Sequence, residues 1–274
     1  MDRFEGPSAR SAFWGAGNLA LGWQSFLRGI TLLVVVLVAW WLAVLVFQPP
    51  AFIFPGPERV GEALWQQRGM LWRNAGITLA EILLGLFLGT ILGVATALIA
   101  NASPFARRNI MPIVSASQAL PVFAIAPMLI LWFGLGMGSK VAMATIIIYF
   151  PVASAFSDGL QRTDREFVDL ARLYGASRLQ TLWKVRLPAA MPAFASGLRV
   201  ATTVAPIGAI VGEWVGASGG IGYVINQANA RMQTDTVFAG LVVLIAMVLV
   251  LRLIVDTALD RLIFWVPQTD RTAF

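Results

Sequence analysis

The chain has 274 residues, 58% hydrophobic and only 12% charged, where a soluble domain averages about 25% charged. It therefore reads as a multi-span membrane protein, and its net charge of +6 marks topology rather than nucleic-acid binding. It holds no Cys and no His, which excludes disulfides, zinc sites, thiol nucleophiles and imidazole acid–base chemistry.

Residues 1–29 form a polar tail with Arg3, Arg10 and Arg28, whose Trp14, Trp23 and Phe26 suit a short amphipathic segment at the interface. Ile30–Phe47 is apolar but for Thr31 and long enough to span. Gln48-Pro49-Pro50 follows it in place of a small-residue cleavage site, so it reads as a retained helix. An amphipathic run at Glu58–Trp72 is expected on the outer surface, and Ala75–Ala100 is the second span. Its Gly85, Gly89, Gly93 and Ala97 recur every four residues, the spacing that lets two helices approach closely in lipid. Ile110–Phe133 is the third span; Pro112, Pro121 and Pro127 place it inside the bundle, where neighbours can satisfy freed carbonyls. Gly134–Lys140 is read as a tight outer turn, and Val141–Phe156 as the fourth span. The fifth span is Ala193–Val215. An outer loop covers Gly216 to Thr236, and the sixth span runs from Val237 through Leu251 to about Val255, past a snorkelling Arg252.

Between the fourth and fifth spans lies the longest charged stretch, Thr163 to Pro192. Phe167, Leu170, Ala171 and Tyr174 share a helical face. Arg165, Asp169 and Arg172 lie elsewhere, at spacings that allow ion pairs. Gly175 suits a left-handed helix end, and Ser177 is placed to cap a second helix bearing Leu179, Leu182 and Trp183. A helix–turn–helix hairpin with one apolar face is expected to dock on a partner. With the amino terminus inside, fourteen Lys and Arg fall on the hairpin side and five outside. This positive-inside bias places the hairpin and both termini in the cytoplasm.

The glycine-rich stretches Gly134–Lys140 and Gly216–Gly222 lack the spacing or context of nucleotide loops. If ATP drives this protein, another subunit holds it. Three ionisable groups fall within spans. Arg199 is near enough to the inner surface to snorkel. Glu81 suits either a translocation path or a structural pair. Glu213 is placed to accept from an amino group and Trp214 to stack on a flat ring, the alternative being a Trp of the interfacial belt.

The hairpin resembles a signature of permease subunits of binding-protein-dependent type I ABC importers: Glu-Ala-Ala, three residues, Gly, nine residues, Ile, one residue, Leu-Pro. Here Asp169-Leu170-Ala171, Gly175, Val185 and Leu187-Pro188 keep that spacing, with Asp for Glu, Leu for the first Ala and Val for Ile. The likeness is greatest to the nitrate, taurine and sulfonate branch. Val211-Gly212-Glu213-Trp214-Val215-Gly216, Gly222-Tyr223 and Ala230–Asp235 are similar to permeases for hydroxymethylpyrimidine-type thiamine precursors.

The resemblance implies an all-α, six-span permease domain at 30–257, a coupling hairpin at 163–188 and a cytoplasmic tail at 258–274. It implies two copies forming the path, an ABC ATPase below each, and a binding protein outside. ATP and Mg would sit on the ATPase, with no cofactor and no catalytic residue on this chain. The ATPase contacts it implies are Glu166, Asp169, Leu170, Ala171, Tyr174 and Gly175. The substrate it implies is a pyrimidine thiamine precursor, hydroxymethylpyrimidine or formylaminopyrimidine, with aliphatic sulfonates, taurine, nitrate or riboflavin as the alternatives. An ion-coupled secondary transporter and a membrane scaffold are the readings of other classes; the first wants ionisable groups mid-membrane and an inverted repeat.

Overall fold

The computed structural model describes the backbone of residues 10–265 and side chains from Leu27 onward. Every regular element is helical. In chain order these are α1 (Arg10–Phe47), α2 (Pro57–Gln66), α3 (Arg68–Ala102), α4 (Pro104–Gln118), α5 (Val122–Phe133) and α6 (Met137–Gln161). Then come α7 (Arg165–Leu173), α8 (Arg178–Thr181), a π-helical turn at Leu182–Arg186, α9 (Leu187–Gly216), α10 (Ile221–Ala230) and α11 (Thr234–Leu262).

The centre is built by α3, α6 and α9. In lipid, burying apolar surface drives little association, so close backbone packing must hold helices together. The four-residue stripe on α3 does this. A methyl at Gly85 would strike Ala144, one at Gly89 would lie 2.6 Å from Ile148 Cγ2, and one at Gly93 would lie 2.9 Å from Val152. A second stripe on α9, unremarked in the sequence, seats the other side of α6: Ala201, Ala205 and Ala209 have no exposed surface, and Gly208 lies against the Ala144 backbone. Ile82, Ala144, Ile148 and Val152 thus join both stripes in one core.

Five helices are long and apolar enough to cross a membrane, and the bent pair α4–α5, counted as one, is a sixth. That pair corrects the expectation of a continuous third span at Ile110–Phe133. Its halves meet at 100°. Pro121 has no N–H to continue the ladder and disfavours helical backbone at Leu120 before it. Pro112 and Pro127 stay within helices. Four smaller expectations also shift. The amphipathic run is divided at Gln67 between α2 and α3. The outer loop contains α10. The turn after α5 is short, so Lys140 lies within α6 and is buried. The last span continues to Leu262.

At the amino end the tail and first span form one helix from Arg10. The side chains of Trp14, Trp23 and Phe26 lie outside the described residues. The spanning part of α1 is unburied in this protomer. It is held at Trp40, whose indole N–H donates to the Pro55 carbonyl at 3.1 Å and whose ring lies 5.6 Å from that of Phe238. At the opposite end of the bundle Arg199 bridges α9 to α11, 2.8 Å from Asp256 and 2.9 Å from Asp260. Arg252 reaches the same Asp256 at 3.6 Å and Thr203 at 3.3 Å. Neither arginine snorkels alone.

Gly89→Leu is expected to cost about 1–3 kcal/mol by overpacking. Thermal unfolding of the solubilised chain should show a lower midpoint. Gly76→Leu, where an added carbon meets nothing within 4 Å, should leave it unchanged.

Candidate functional site

Two constructions stand out, one outside the spans and one inside. The first is the hairpin. Asp164 caps α7 by accepting from the Glu166 N–H. At the far end Gly175 has φ +76°, its N–H donates to the Arg172 carbonyl, and the Ala176 N–H reaches back to Ala171. That is a Schellman ending, and only glycine takes the left-handed position without a steric cost. Ser177 then opens α8 with a reciprocal capping box: its hydroxyl accepts from the Gln180 N–H at 3.2 Å, while Gln180 Oε1 accepts from the Ser177 N–H at 2.8 Å. Turn and caps fix the angle between the two arms.

Val168 is the inward anchor of α7, at 5% exposure, and Leu182 packs on the Phe156–Leu160 cluster. The remaining apolar face is bare. Phe167 is 62% exposed, Leu170 49% and Tyr174 84%. With Ala171, Lys184 and Val185 they line an open cleft of about 600 Å³. Asp169 pairs with Arg172 at 3.3 Å rather than with Arg165. Leu179 and Trp183 also face outward. Of the six residues singled out for docking, Leu170, Ala171 and Tyr174 line this cleft; Glu166 lies in the first turn of the same helix, Asp169 on its other side, and Gly175 sets its end.

The second construction is a buried polar knot at the other end of α9. Glu213 has 1% exposure. Its Oε1 accepts from the Thr78 hydroxyl at 2.6 Å, and its Oε2 accepts from the Gly222 N–H. Thr78 in turn accepts from the Ile221 N–H at 2.8 Å, and Asn74 accepts from the Gly220 N–H at 2.8 Å. The first N–H groups of α10, which have no partners within their own helix, are satisfied by side chains of α3 and α9. Gly220, at φ +110°, leaves no room for a side chain beside the Glu213 carboxylate. Glu81 is wholly buried next to this knot, 3.5 Å from Lys140 Nζ.

The three residues read as a translocation path thus separate. Glu81 and Glu213 lie against each other inside the protomer, and both Glu213 oxygens are occupied. Trp214 points out, 45% exposed, with the Phe123 ring 6.2 Å away. The sequence did not reveal Thr78, Asn74 and Lys140 as the partners. The signal available was a cluster of glycines at 219–222, just after a carboxylate in an apolar helix.

Comparison with known proteins decides what carries such a hairpin. Residues 82–266 match the family described as the inner membrane component of binding-protein-dependent transport systems. The chain belongs to this family. It is the permease of an ABC transporter, not its ATPase, and a multi-pass inner membrane protein that works with an ATPase and a binding protein.

The permease is 48% identical over 238 residues to a probable ABC transporter permease protein of Haemophilus influenzae, covering 87% of this chain and 97% of the relative. It is 34% identical over 194 residues to the formylaminopyrimidine transport permease protein ThiX of Halalkalibacterium halodurans, covering 70% and 78%. It is 33% identical over 245 residues to the riboflavin transport system permease protein RibX of Chloroflexus aurantiacus, covering 89% and 91%. Its fold matches a structure of the inward-facing MetNI methionine ABC transporter with TM-score 0.63 and 19% identity, covering 72% of this chain and 97% of that one. The permease is therefore an ABC importer subunit, and the secondary-transporter and scaffold readings fall away.

Thr78→Val removes a buried hydroxyl that donates to Glu213 and accepts from Ile221. It is expected to destabilise the permease by about 1–3 kcal/mol, read as a lower midpoint on heating. Thr203→Val, at an exposed site, should have a much smaller effect.

Proposed function

We propose that this permease imports a pyrimidine thiamine precursor of the hydroxymethylpyrimidine or formylaminopyrimidine type. The observation that carries the reading is the likeness to ThiX, together with the stretch Val211–Gly216 around Glu213 and Trp214. Trp214 and Phe123 offer exposed aromatic surface on which a flat ring can stack. Glu213 enters this reading as the residue that holds the end of α9, on which Trp214 sits, and Glu81 as its buried neighbour. Riboflavin, another flat heterocycle, is the second reading; it is favoured by the longer match to RibX. Taurine and aliphatic sulfonates carry no flat ring for such a pair to grip.

In this reading two copies of the permease enclose the path, with both termini and the hairpin in the cytoplasm. Each hairpin sets its bare face, through Glu166, Leu170, Ala171 and Tyr174, into a groove on an ATPase subunit that holds ATP and Mg. Amphipathic helices commonly bind in this way. The Gly175 turn and Val168 anchor make the hairpin stiff enough to pass ATPase movement to α6 and α9. The binding protein delivers substrate from the opposite side.

Two experiments test this. In proteoliposomes with the co-expressed ATPase, hydrolysis should rise with the binding protein loaded with hydroxymethylpyrimidine, and not with an aliphatic sulfonate. A response to riboflavin alone would transfer the assignment to the second reading. Separately, Gly175→Val forces a branched side chain into a left-handed position, at about 1–2 kcal/mol or more. Membrane insertion should survive while stimulated hydrolysis is lost. Full stimulation in this variant would refute the role given to the turn.

A further inference from the structure

The hairpin has a second side. Between it and the α3–α4 junction opens a cleft of about 980 Å³. Arg107, Arg165, Arg172, Arg178 and Arg186 all line it, and Asp169 is its one carboxylate. Asp169 is already engaged with Arg172. Among the described residues, no carboxylate lies within ion-pair distance of Arg107, Arg165, Arg178 or Arg186. Among the described residues, four guanidinium groups therefore border one concavity without an ion-pair partner. Like charges gathered this way repel, and an anion between them relieves that repulsion.

The position of the cleft narrows the anion. It lies where α3 ends at Ala102, α6 at Gln161, and the hairpin returns toward α9. That is the level at which the spanning helices α3 and α6 end on the hairpin side. Its lining also includes Leu160, Leu182 and Pro104, so the wall is apolar as well as basic. A basic pocket between spans at the cytoplasmic surface suits a phosphate group carried on a hydrocarbon body. Guanidinium groups match phosphate oxygens in paired hydrogen bonds.

We propose that this cleft binds the phosphate headgroup of an anionic phospholipid of the cytoplasmic leaflet, directly behind the hairpin. The bound lipid neutralises Arg107, Arg178 and Arg186 and braces the hairpin on the side opposite its bare face. The proposal rests on the orientation given above. A free phosphate ion shares the headgroup's chemistry, and an acidic surface of the ATPase is the rival occupant.

The test uses the full-length permease without ATPase, in phosphatidylcholine nanodiscs containing a minor share of phosphatidylglycerol. Retained lipid is read by native mass spectrometry. The wild type should keep phosphatidylglycerol in preference to phosphatidylcholine. Arg178→Gln should lower that preference about fivefold, and the triple variant R107Q/R178Q/R186Q by roughly tenfold or more. Arg59→Gln, away from the cleft, should change nothing. Equal retention by wild type and both cleft variants would overturn the proposal. So would full displacement of phosphatidylglycerol by inorganic phosphate, which would make the cleft a free-anion site. Unchanged lipid retention in R178Q, with ATPase co-purification lost in a separate pull-down of the co-expressed complex, would also overturn it and give the cleft to the ATPase. Since lipid retention is measured with no ATPase present, its failure is separable from failure of the hairpin's docking role.

Discussion

Inside a membrane a polar group has no water to fall back on, and this constraint shapes the whole permease. Among the described residues the buried charges have partners on other helices, Glu81 with Lys140 and Glu213 with Thr78 and Gly222, and the half-buried Arg199 pairs with Asp256 and Asp260. These contacts are spaced along the bundle. Glu213 ties α9 to α3 and to the start of α10, while Arg199 ties α9 to α11. Between them, the small-residue stripes of α3 and α9 hold α6 at close range. Pairing polar groups across helices leaves few ways to assemble the spans, because a wrong register strands a charge in hydrocarbon. The centre is consequently a stiff mount.

What projects from that mount is the hairpin, and its chemistry is the reverse. Its backbone is closed by local means, with a capping aspartate, a Schellman glycine and a reciprocal serine–glutamine cap. Its apolar side chains are left open. A helix that buries only Val168 while exposing Phe167, Leu170 and Tyr174 gains little packing from its own chain. The π-helical turn at Leu182–Arg186 joins the hairpin to α9 without a loop. The second arm of the hairpin, α8, is thus continuous helical backbone with the spanning helix α9, and α7 is fixed to it through the Gly175 turn.

The sequence showed the hairpin clearly because its determinants are local. Gly175 and Ser177 each act on residues within five positions, and their spacing can be read without knowing the fold. The glycine stripe of α3 was legible for the same reason, while its alanine counterpart on α9 was not, since alanine is unremarkable in an apolar helix. The third span was misread because mean hydropathy is blind to direction: α4 and α5 are apolar enough together, and only the pair Leu120–Pro121 signals the 100° bend. Glu213 was recognised as unusual but given an open environment. Its partners lie on α3, 135 positions away, and on the turn into α10. No periodicity encodes such a meeting. The same holds for the arginines behind the hairpin, which come from three separate parts of the chain.

The absence of cysteine permits a direct measurement of the central claim that the bare face of α7 is where the ATPase docks. Leu170→Cys, Tyr174→Cys and, as a control on an exposed membrane helix, Trp132→Cys can each be placed singly in an otherwise thiol-free permease. Each is then treated with a short bifunctional cross-linker in membranes containing the co-expressed ATPase. The account predicts cross-links to the ATPase from positions 170 and 174, weakened by Gly175→Val, and none from position 132. Cross-linking from position 132 with none from 170 or 174 would contradict it.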